Sequence, residues 1–359
     1  MHLTELRLQN LRNIGDLQLD LVPGLNFFVG LNGAGKTSIL EAVHLLSHGT
    51  SFRTHQADHL IRRGTEHMSV FGEVQTRSGR HRLGLRRQTG RWVAKLDGQM
   101  PGALTALFNA CAVVCFEPGS HTLISGSAEL RRSFLDWGVF HVEPGFADQA
   151  RRYRRALRQR NALLKQEAGA DELRVWEEEL AQTAEPLAIG REAYIRRFTA
   201  ELLPLLTCYL PELGPASLRF RAGWERNLLL LQVLADARSR DRAVGHTSRG
   251  PHRANWSLTF AEATTHEQLS RGQGKLCAIA CMLAQARVYR HEHGEWPVIA
   301  LDDLCSELDP VHQTAVMDDL ATTGAQILLT GTEIPPALIA RIAPRRQFHV
   351  EQGRVQALL

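Results

Sequence analysis

The chain is short of lysine, of paired cysteines and of long apolar runs, and each shortage removes a class of function. Lysines and arginines total 42 in 359 residues, yet lysine occurs only as Lys36, Lys95, Lys165 and Lys275. Where arginine is the default cation, a retained lysine points to a need for a compact point charge. The six cysteines, Cys111, Cys115, Cys208, Cys277, Cys281 and Cys305, show no C-x-x-C spacing and no paired histidines nearby. That excludes a zinc site of the usual spacing and reads as reduced core thiols. No apolar run is long enough to cross a bilayer as a helix, so no membrane span is expected. Met1 to Asn10 alternates apolar and polar residues and has no signal-peptide core, so a cytoplasmic location is expected. There is no helix-turn-helix, no zinc finger and no aromatic-rich platform for single strands. The net charge of +4 is compatible with a nucleic-acid partner without requiring one.

What is present is concentrated at Gly30-Leu31-Asn32-Gly33-Ala34-Gly35-Lys36-Thr37. This is the phosphate-binding pattern G-x-x-x-x-G-K-T. An apolar strand-like run, Leu25 to Val29, precedes it. A helical segment beginning at Ser38, with Ile39, Leu40, Val43 and Leu46 on one face, follows it. Backbone N–H groups of Gly30 to Ser38 would close around phosphate oxygens at the helix N-terminus. Lys36 would reach the β- and γ-phosphates of ATP, and the Thr37 hydroxyl would ligate Mg²⁺.

A second acidic component is needed, and Val298-Ile299-Ala300-Leu301-Asp302-Asp303 supplies it: an apolar strand ending in two carboxylates. Asp302 would hold Mg²⁺ through water, and Asp303 would orient or deprotonate the attacking water. Leu269-Ser270-Arg271-Gly272-Gln273-Gly274-Lys275 precedes an apolar helix expected from about Gly274 to Arg290. A serine hydroxyl, glycine amides and a helix N-terminus form an anion site by the same physics as the phosphate loop.

The chain is expected to be α/β. Residues 1–120 read as strands around the phosphate loop, with an antiparallel meander hung on its sheet. Residues 121–215 read as a helical insert, and 216–359 as a return to α/β character. Within the insert, helices are expected near Asp171–Thr183 and Pro186–Leu206, with Pro186 in a first turn. Arg151, Arg152, Arg154, Arg155, Arg158 and Arg160 surround an apolar stripe. They fit either a duplex-phosphate track or a solvated face with glutamate partners, and Arg131 and Arg132 carry the same two readings.

The order of these stretches resembles an ABC-type ATPase head. Ser270-Arg271-Gly272-Gln273 resembles the signature motif, and Ser306-Glu307-Leu308-Asp309 resembles the D-loop. The resemblance implies a homodimer with two ATP molecules sandwiched between Lys36 of one subunit and Ser270, Gly272 and Gln273 of the other. More specifically, the chain resembles the RecF family of the SMC/Rad50-like branch. Ser51-Phe52-Arg53-Thr54, Gly126 to Asp136, Phe140 to Pro144, Gln159 to Lys165 and Gly250-Pro251-His252-Arg253 carry that resemblance over nearly the full length. It implies an ABC-type head with an inserted helical lid domain and ATP-dependent dimerisation on DNA near gaps or junctions. It further implies slow, DNA-stimulated ATP hydrolysis, and cooperation with RecO and RecR in loading RecA during repair. Three departures stand out: Arg271 where glycine is usual, Ala254-Asn255 where acidic residues are common, and Thr330-Gly331-Thr332 where transporters carry a histidine. The glutamine loop has no clear residue, and the stretch at Glu117-Pro118 is its expected position. The rival readings are a transporter-type ATPase subunit and a small-molecule kinase; the signature and D-loop stretches have no role in the latter.

Overall fold

The computed structural model describes residues 1–88, 90–265, 268–333 and 343–358. In chain order the strands are β1 (His2–Leu11), β2 (Ile14–Asp20), β3 (Leu25–Val29), β4 (His67–Thr76), β5 (Gly79–Gln88), β6 (Arg91–Leu96), β7 (Val113–Phe116), β8 (Ala216–Arg221), β9 (Asn255–Phe260), β10 (Val298–Leu301), β11 (Ile327–Gly331), β12 (Arg345–Glu351) and β13 (Arg354–Leu358). The helices are α1 (Lys36–His48), α2 (Leu104–Asn109), α3 (Thr122–Ser125), α4 (Ala128–Val142), α5 (Phe146–Lys165), α6 (Ala170–Tyr209), α7 (Leu230–Asp236), α8 (Arg238–Val244), α9 (Arg271–His293), α10 (Leu304–Glu307) and α11 (Pro310–Thr323). Contacts divide the chain into two units, Met1–Ser120 with Arg271–Leu359, and His121–Ser270.

In the first unit, β10 and β11 are buried along their whole length. Apolar residues on both faces suit a parallel sheet covered on each side. The order is β13-β12-β3-β11-β10-β7, parallel except for the terminal β12–β13 hairpin. The second sheet is antiparallel, β2-β1-β4-β5-β6. Its β1 buries Leu3, Leu6 and Leu8, a spacing of three and then two. A strand keeps side chains on one face only at a spacing of two, and the register shift between Leu3 and Glu5 absorbs the extra residue. The meander β4–β6 thus extends β1 and β2 in a sheet of its own instead of hanging on the phosphate-loop sheet. Helix α1 touches strands of both sheets and is buried along most of its length.

The second unit holds α3 to α8 with the β8–β9 pair. Its end at Ser270 corrects the expected boundary at 215. Among the described residues β8 and β9 pair with each other alone. They lie against α6 and α4, and Trp256 of β9 is buried with its Nε1 donating to the Arg131 carbonyl. The expected helix break at Pro186 is also absent, because α6 runs unbroken for 40 residues through Pro186 and Pro204. Proline removes the hydrogen bond to the carbonyl four residues earlier. Here Gln182 and Ala200, which carry those carbonyls, are exposed along with both prolines, so water can replace the lost donors. Helices α7 and α8 follow β8 as two short segments separated at Ala237.

The arginines of α5 split between the two readings. Arg160 is fully buried; it donates to Glu177 Oε1, to Asp241 Oδ2 at 2.7 Å and to Thr247 Oγ1 at 2.9 Å. Arg151 pairs with Asp148 and Arg152 with Glu179. Arg154, Arg155 and Arg158 are exposed and have no acidic partner among the described residues. Arg131 donates to the Ile124 and Gly126 carbonyls and to Asn255 Oδ1, and Arg132 to the Ala254 carbonyl. Arg131 therefore holds the turn before α4 to the start of β9, and Arg132 ties α4 to the same point. The Ala254-Asn255 departure supplies acceptors for them without adding charge.

Candidate active site

Register alone brings the site together. Leu301 of β10 pairs with Leu329 of β11, and Thr330 and Gly331 of β11 pair with Phe28 and Val29 of β3. The residues just past these positions, Asp302, Thr330 and Gly30, therefore emerge side by side at the carboxyl edge of the sheet. Open parallel sheets bind ligands at that edge.

The phosphate loop requires glycine for more than one reason. A Cβ on Gly30 would lie 2.1 Å from the Val350 carbonyl oxygen, so the loop passes β12 too closely for any side chain. Gly35 caps α1 in a left-handed conformation at φ 116°, which disfavours other residues. Lys36 is buried, and its Nζ donates to the carbonyls of Gly30 at 2.6 Å and Leu31 at 3.2 Å. The loop thus curls around its own ammonium.

Thr37 Oγ1 donates to Asp302 Oδ1 at 3.0 Å. Thr330 Oγ1 donates to the same oxygen at 2.7 Å and accepts from the Asp303 N–H at 2.9 Å. The Thr330 hydroxyl is therefore committed to the Asp302 carboxylate and the Asp303 backbone amide. Burial pushes the Asp302 carboxyl above its ordinary range and the neighbouring Asp303 adds to this, while the Thr330 and Thr37 hydroxyls and Arg53 oppose it. Asp303 has φ 49°, ψ 31°, left-handed backbone that aspartate tolerates better than most residues. Its Oδ1 is buried and has no hydrogen-bond partner among the described residues.

A cavity of about 300 Å³ is lined by Asn32, Gly33, Ala34, Gly35, Lys36, Thr37, Ser38 and Asp303, joined by Arg12, Asn13 and Arg53. Gly30 and Leu31 stand outside the lining and contribute the carbonyls that hold Lys36. Ser270 and Gly272 are exposed and Gln273 half-buried, at and just before the start of α9, and none of the three lines this cavity. Glu117 does not line it either; its Oε2 accepts from the Gly119 N–H in its own loop.

Arg12, Asn13 and Arg53 carried no assigned role in the sequence reading. Arg12 donates through Nε and Nη2 to the two oxygens of Glu41, at 2.9 and 2.7 Å, and Glu41 is fully buried in α1. The Ser51 hydroxyl donates to Glu41 and accepts from the Arg53 and Thr54 amides. The signal was a glutamate within the largely apolar run Ile39–Leu46 of the loop's helix, since a buried carboxylate demands cationic or hydroxyl partners. Asn13 Nδ2 donates to the Ala34 carbonyl at 3.2 Å and tethers the loop to the end of β1. A second cavity, of about 750 Å³, shares Arg12 and Asn13 and adds Asp58, His59, Ile61, Arg62 and Arg63.

Comparison with known proteins places this geometry among relatives. A family model described as the RecF/RecN/SMC N terminal domain matches residues 2–335. The DNA replication and repair protein RecF of Xanthomonas euvesicatoria pv. vesicatoria is 48% identical over 361 residues, covering 99% of this chain and 98% of that protein. RecF of Stenotrophomonas maltophilia is 47% identical over 366 residues, covering 100% of both. A solved structure of the recombination mediator protein RecF with ATP, in the RecFOR pathway, matches with a TM-score of 0.90 at 25% identity, over 100% of this chain and 98% of that one. An Smc head bound to the C-winged helix domain of ScpA matches with a TM-score of 0.60 at 14% identity, over 100% and 97% of the two chains, and shares the fold.

Proposed function

Because the chain belongs to the RecF family within the RecF/RecN/SMC group, we propose that it is an ATP-driven clamp on DNA. In this reading it dimerises on binding ATP, acts at single-strand gaps and junctions in recombinational repair, and helps RecO and RecR to load RecA. Hydrolysis is slow, stimulated by DNA, and opens the clamp. The observation that carries the reading is the cluster Thr37–Asp302–Thr330–Asp303 beside the phosphate loop.

The phosphates would occupy the smaller cavity, on the amides of Gly33 to Ser38 and on Lys36 Nζ. Lys36 must exchange the Gly30 and Leu31 carbonyls for phosphate oxygens, a replacement of neutral acceptors by anionic ones. Ribose and base would extend past Arg12 and Asn13 into the larger cavity. Thr37 and Asp302 fit a divalent cation, since Asp302 is a buried carboxylate whose direct partners among the described residues are two hydroxyls. Bound there, Mg²⁺ would neutralise charge developing on the phosphoryl oxygens. Asp303 lines the same cavity and can accept a proton from the attacking water. Ser270 and Gly272 stand exposed and Gln273 half-buried, which suits contact with nucleotide on a second subunit. ATP then favours the dimer because those contacts exist only in it. Arg154, Arg155 and Arg158 are the candidates for duplex phosphates, a contact indifferent to sequence.

Sedimentation of the pure protein with and without ATP, with and without gapped duplex DNA, at two salt concentrations tests the reading. A nucleotide-dependent dimer whose DNA affinity falls with salt is expected. A species that stays monomeric with ATP and DNA would sink it.

A further inference from the structure

Outside the cavity, an ion pair joins the signature helix to the D-loop. Lys275 Nζ, in the second turn of α9, pairs with Glu307 Oε2, the last residue of α10. Both side chains are mostly buried, at 23% and 17% exposure, so water screens the pair little. Lys275 is one of the four lysines in the chain. Its position relative to the two ends it connects gives the pair its interest.

Five residues before Lys275 lies Ser270, and the first turn of α9 carries Gly272 and Gln273. Four residues before Glu307 lies Asp303, which is the N-cap of α10. That helix is a single turn, closed by Ser306 N–H donating to the Asp303 carbonyl at 2.9 Å. Leu304, its first residue, is fully buried, and Gln313 Nε2 donates to the carbonyls of Cys305 and Leu308. So short and well-anchored a turn moves as one body. Asp303 sits at one end of it in left-handed backbone, and Glu307 is held by α9 at the other.

We propose that Lys275 is a positioning residue for Asp303: the Lys275–Glu307 ion pair carries a shift of the signature segment, on meeting a second subunit's nucleotide, through α10 to the catalytic carboxylate. Hydrolysis is thereby coupled to dimer closure, and a lone subunit with ATP bound leaves Asp303 off its working position. This inference rests on the ATP-sandwiched dimer proposed above.

The test uses full-length K275M, E307Q, K275R and the exchanged double variant K275E/E307K. ATP affinity, ATP-dependent sedimentation and turnover of the dimer on gapped DNA are measured for each. Affinity is expected to stay within about twofold, since neither residue lines the cavity. The two single charge losses should form dimers that turn over about tenfold to a hundredfold more slowly, the effect of a small misplacement of a reacting group. K275R and the double variant should recover most of the native rate. Native turnover in either charge-loss variant overturns the proposal, and so does a loss that neither K275R nor the exchange repairs. A wild-type protein that never dimerises with ATP would instead remove the dimer reading itself, and the two failures are distinguishable in one experiment.

Discussion

Thr330 on β11 and Asp302, just past the neighbouring β10, are 28 residues apart in sequence, and the Thr330 hydroxyl donates to the Asp302 carboxylate at 2.7 Å. Because the same hydroxyl accepts from the Asp303 amide, one side chain sets both acids. Thr330→Val keeps the shape and removes both bonds. The buried Asp302 carboxyl then loses support for its charge and rises further. We expect ATP binding to be nearly unchanged, turnover to fall about tenfold to a hundredfold, and the Mg²⁺ requirement to shift to higher concentration. A magnesium titration of ATPase activity checks this, and an unaltered titration curve would contradict the assignment.

Asp303→Asn should bind ATP, dimerise and stall. Asparagine tolerates the same left-handed backbone, so the turn is preserved while the proton acceptor is lost. Turnover should fall by about two orders of magnitude or more, and the ATP dimer should persist through gel filtration. A variant that remains monomeric with ATP would count against the sandwich.

Lys36→Ala should lose ATP binding, whereas Ser270→Arg should keep it and lose the dimer. Mixed together, the two variants can assemble one intact site, from the phosphate loop of the Ser270→Arg subunit and Ser270 of the Lys36→Ala subunit. A mixed dimer on sedimentation, absent from either variant alone, is expected; unchanged dimerisation of Ser270→Arg alone would refute its role across the interface.

His252 predicts an acid limit for the second unit. Its Nε2 donates to the Thr247 carbonyl and its Nδ1 accepts from the Tyr153 hydroxyl, which fits a neutral ring. Burial lowers its pKa to about 4, with Arg253 and Arg132 adding to the effect and the Thr247 carbonyl and Asp241 opposing it. A depressed histidine contributes stability that is full above its unfolded pKa of about 6.5 and is lost as pH falls toward the folded value. The loss should be on the order of 3 kcal/mol between those limits. Urea unfolding at a series of pH values measures it, and His252→Gln should flatten that part of the curve.

The two classes of α5 arginine should separate cleanly. Arg160→Met leaves Glu177 and Asp241 buried and short of a partner, a loss of about 3–5 kcal/mol in urea unfolding. Replacing Arg154, Arg155 and Arg158 by glutamate should leave stability within about 0.5 kcal/mol. The same change should weaken DNA binding at all sequences and reduce the salt slope by about one per lost phosphate contact. Unchanged DNA affinity would move the interface elsewhere.

Legibility in the sequence followed how local each signal was. The phosphate loop, its strand and its helix are contiguous, and Asp302-Asp303 ends a run buried on both faces, so spacing sufficed. The union of the two parts depends on parallel register between β3, β11 and β10, which no local pattern encodes. The same limit hid Arg12 and Arg53, which reach the cavity only because Glu41 is buried 29 residues from the one and 12 from the other. Pro186 misled for a different reason. Proline rules concern the backbone, and whether a helix survives one depends on which face meets water, a tertiary fact. The β8–β9 pair has ordinary strand alternation, and nothing in that alternation says which unit it joins.

The left-handed backbone at Asp303 also constrains how this position can vary. Glycine or asparagine would relax the chain there, and each removes the acid. Glutamate would keep an acid, but with a longer side chain and on backbone it tolerates less well. No single replacement preserves both the turn and the carboxylate's reach, so drift at residue 303 is an all-or-nothing event. On the clamp proposed above, a lineage that loses this aspartate would keep a protein that closes and does not reopen.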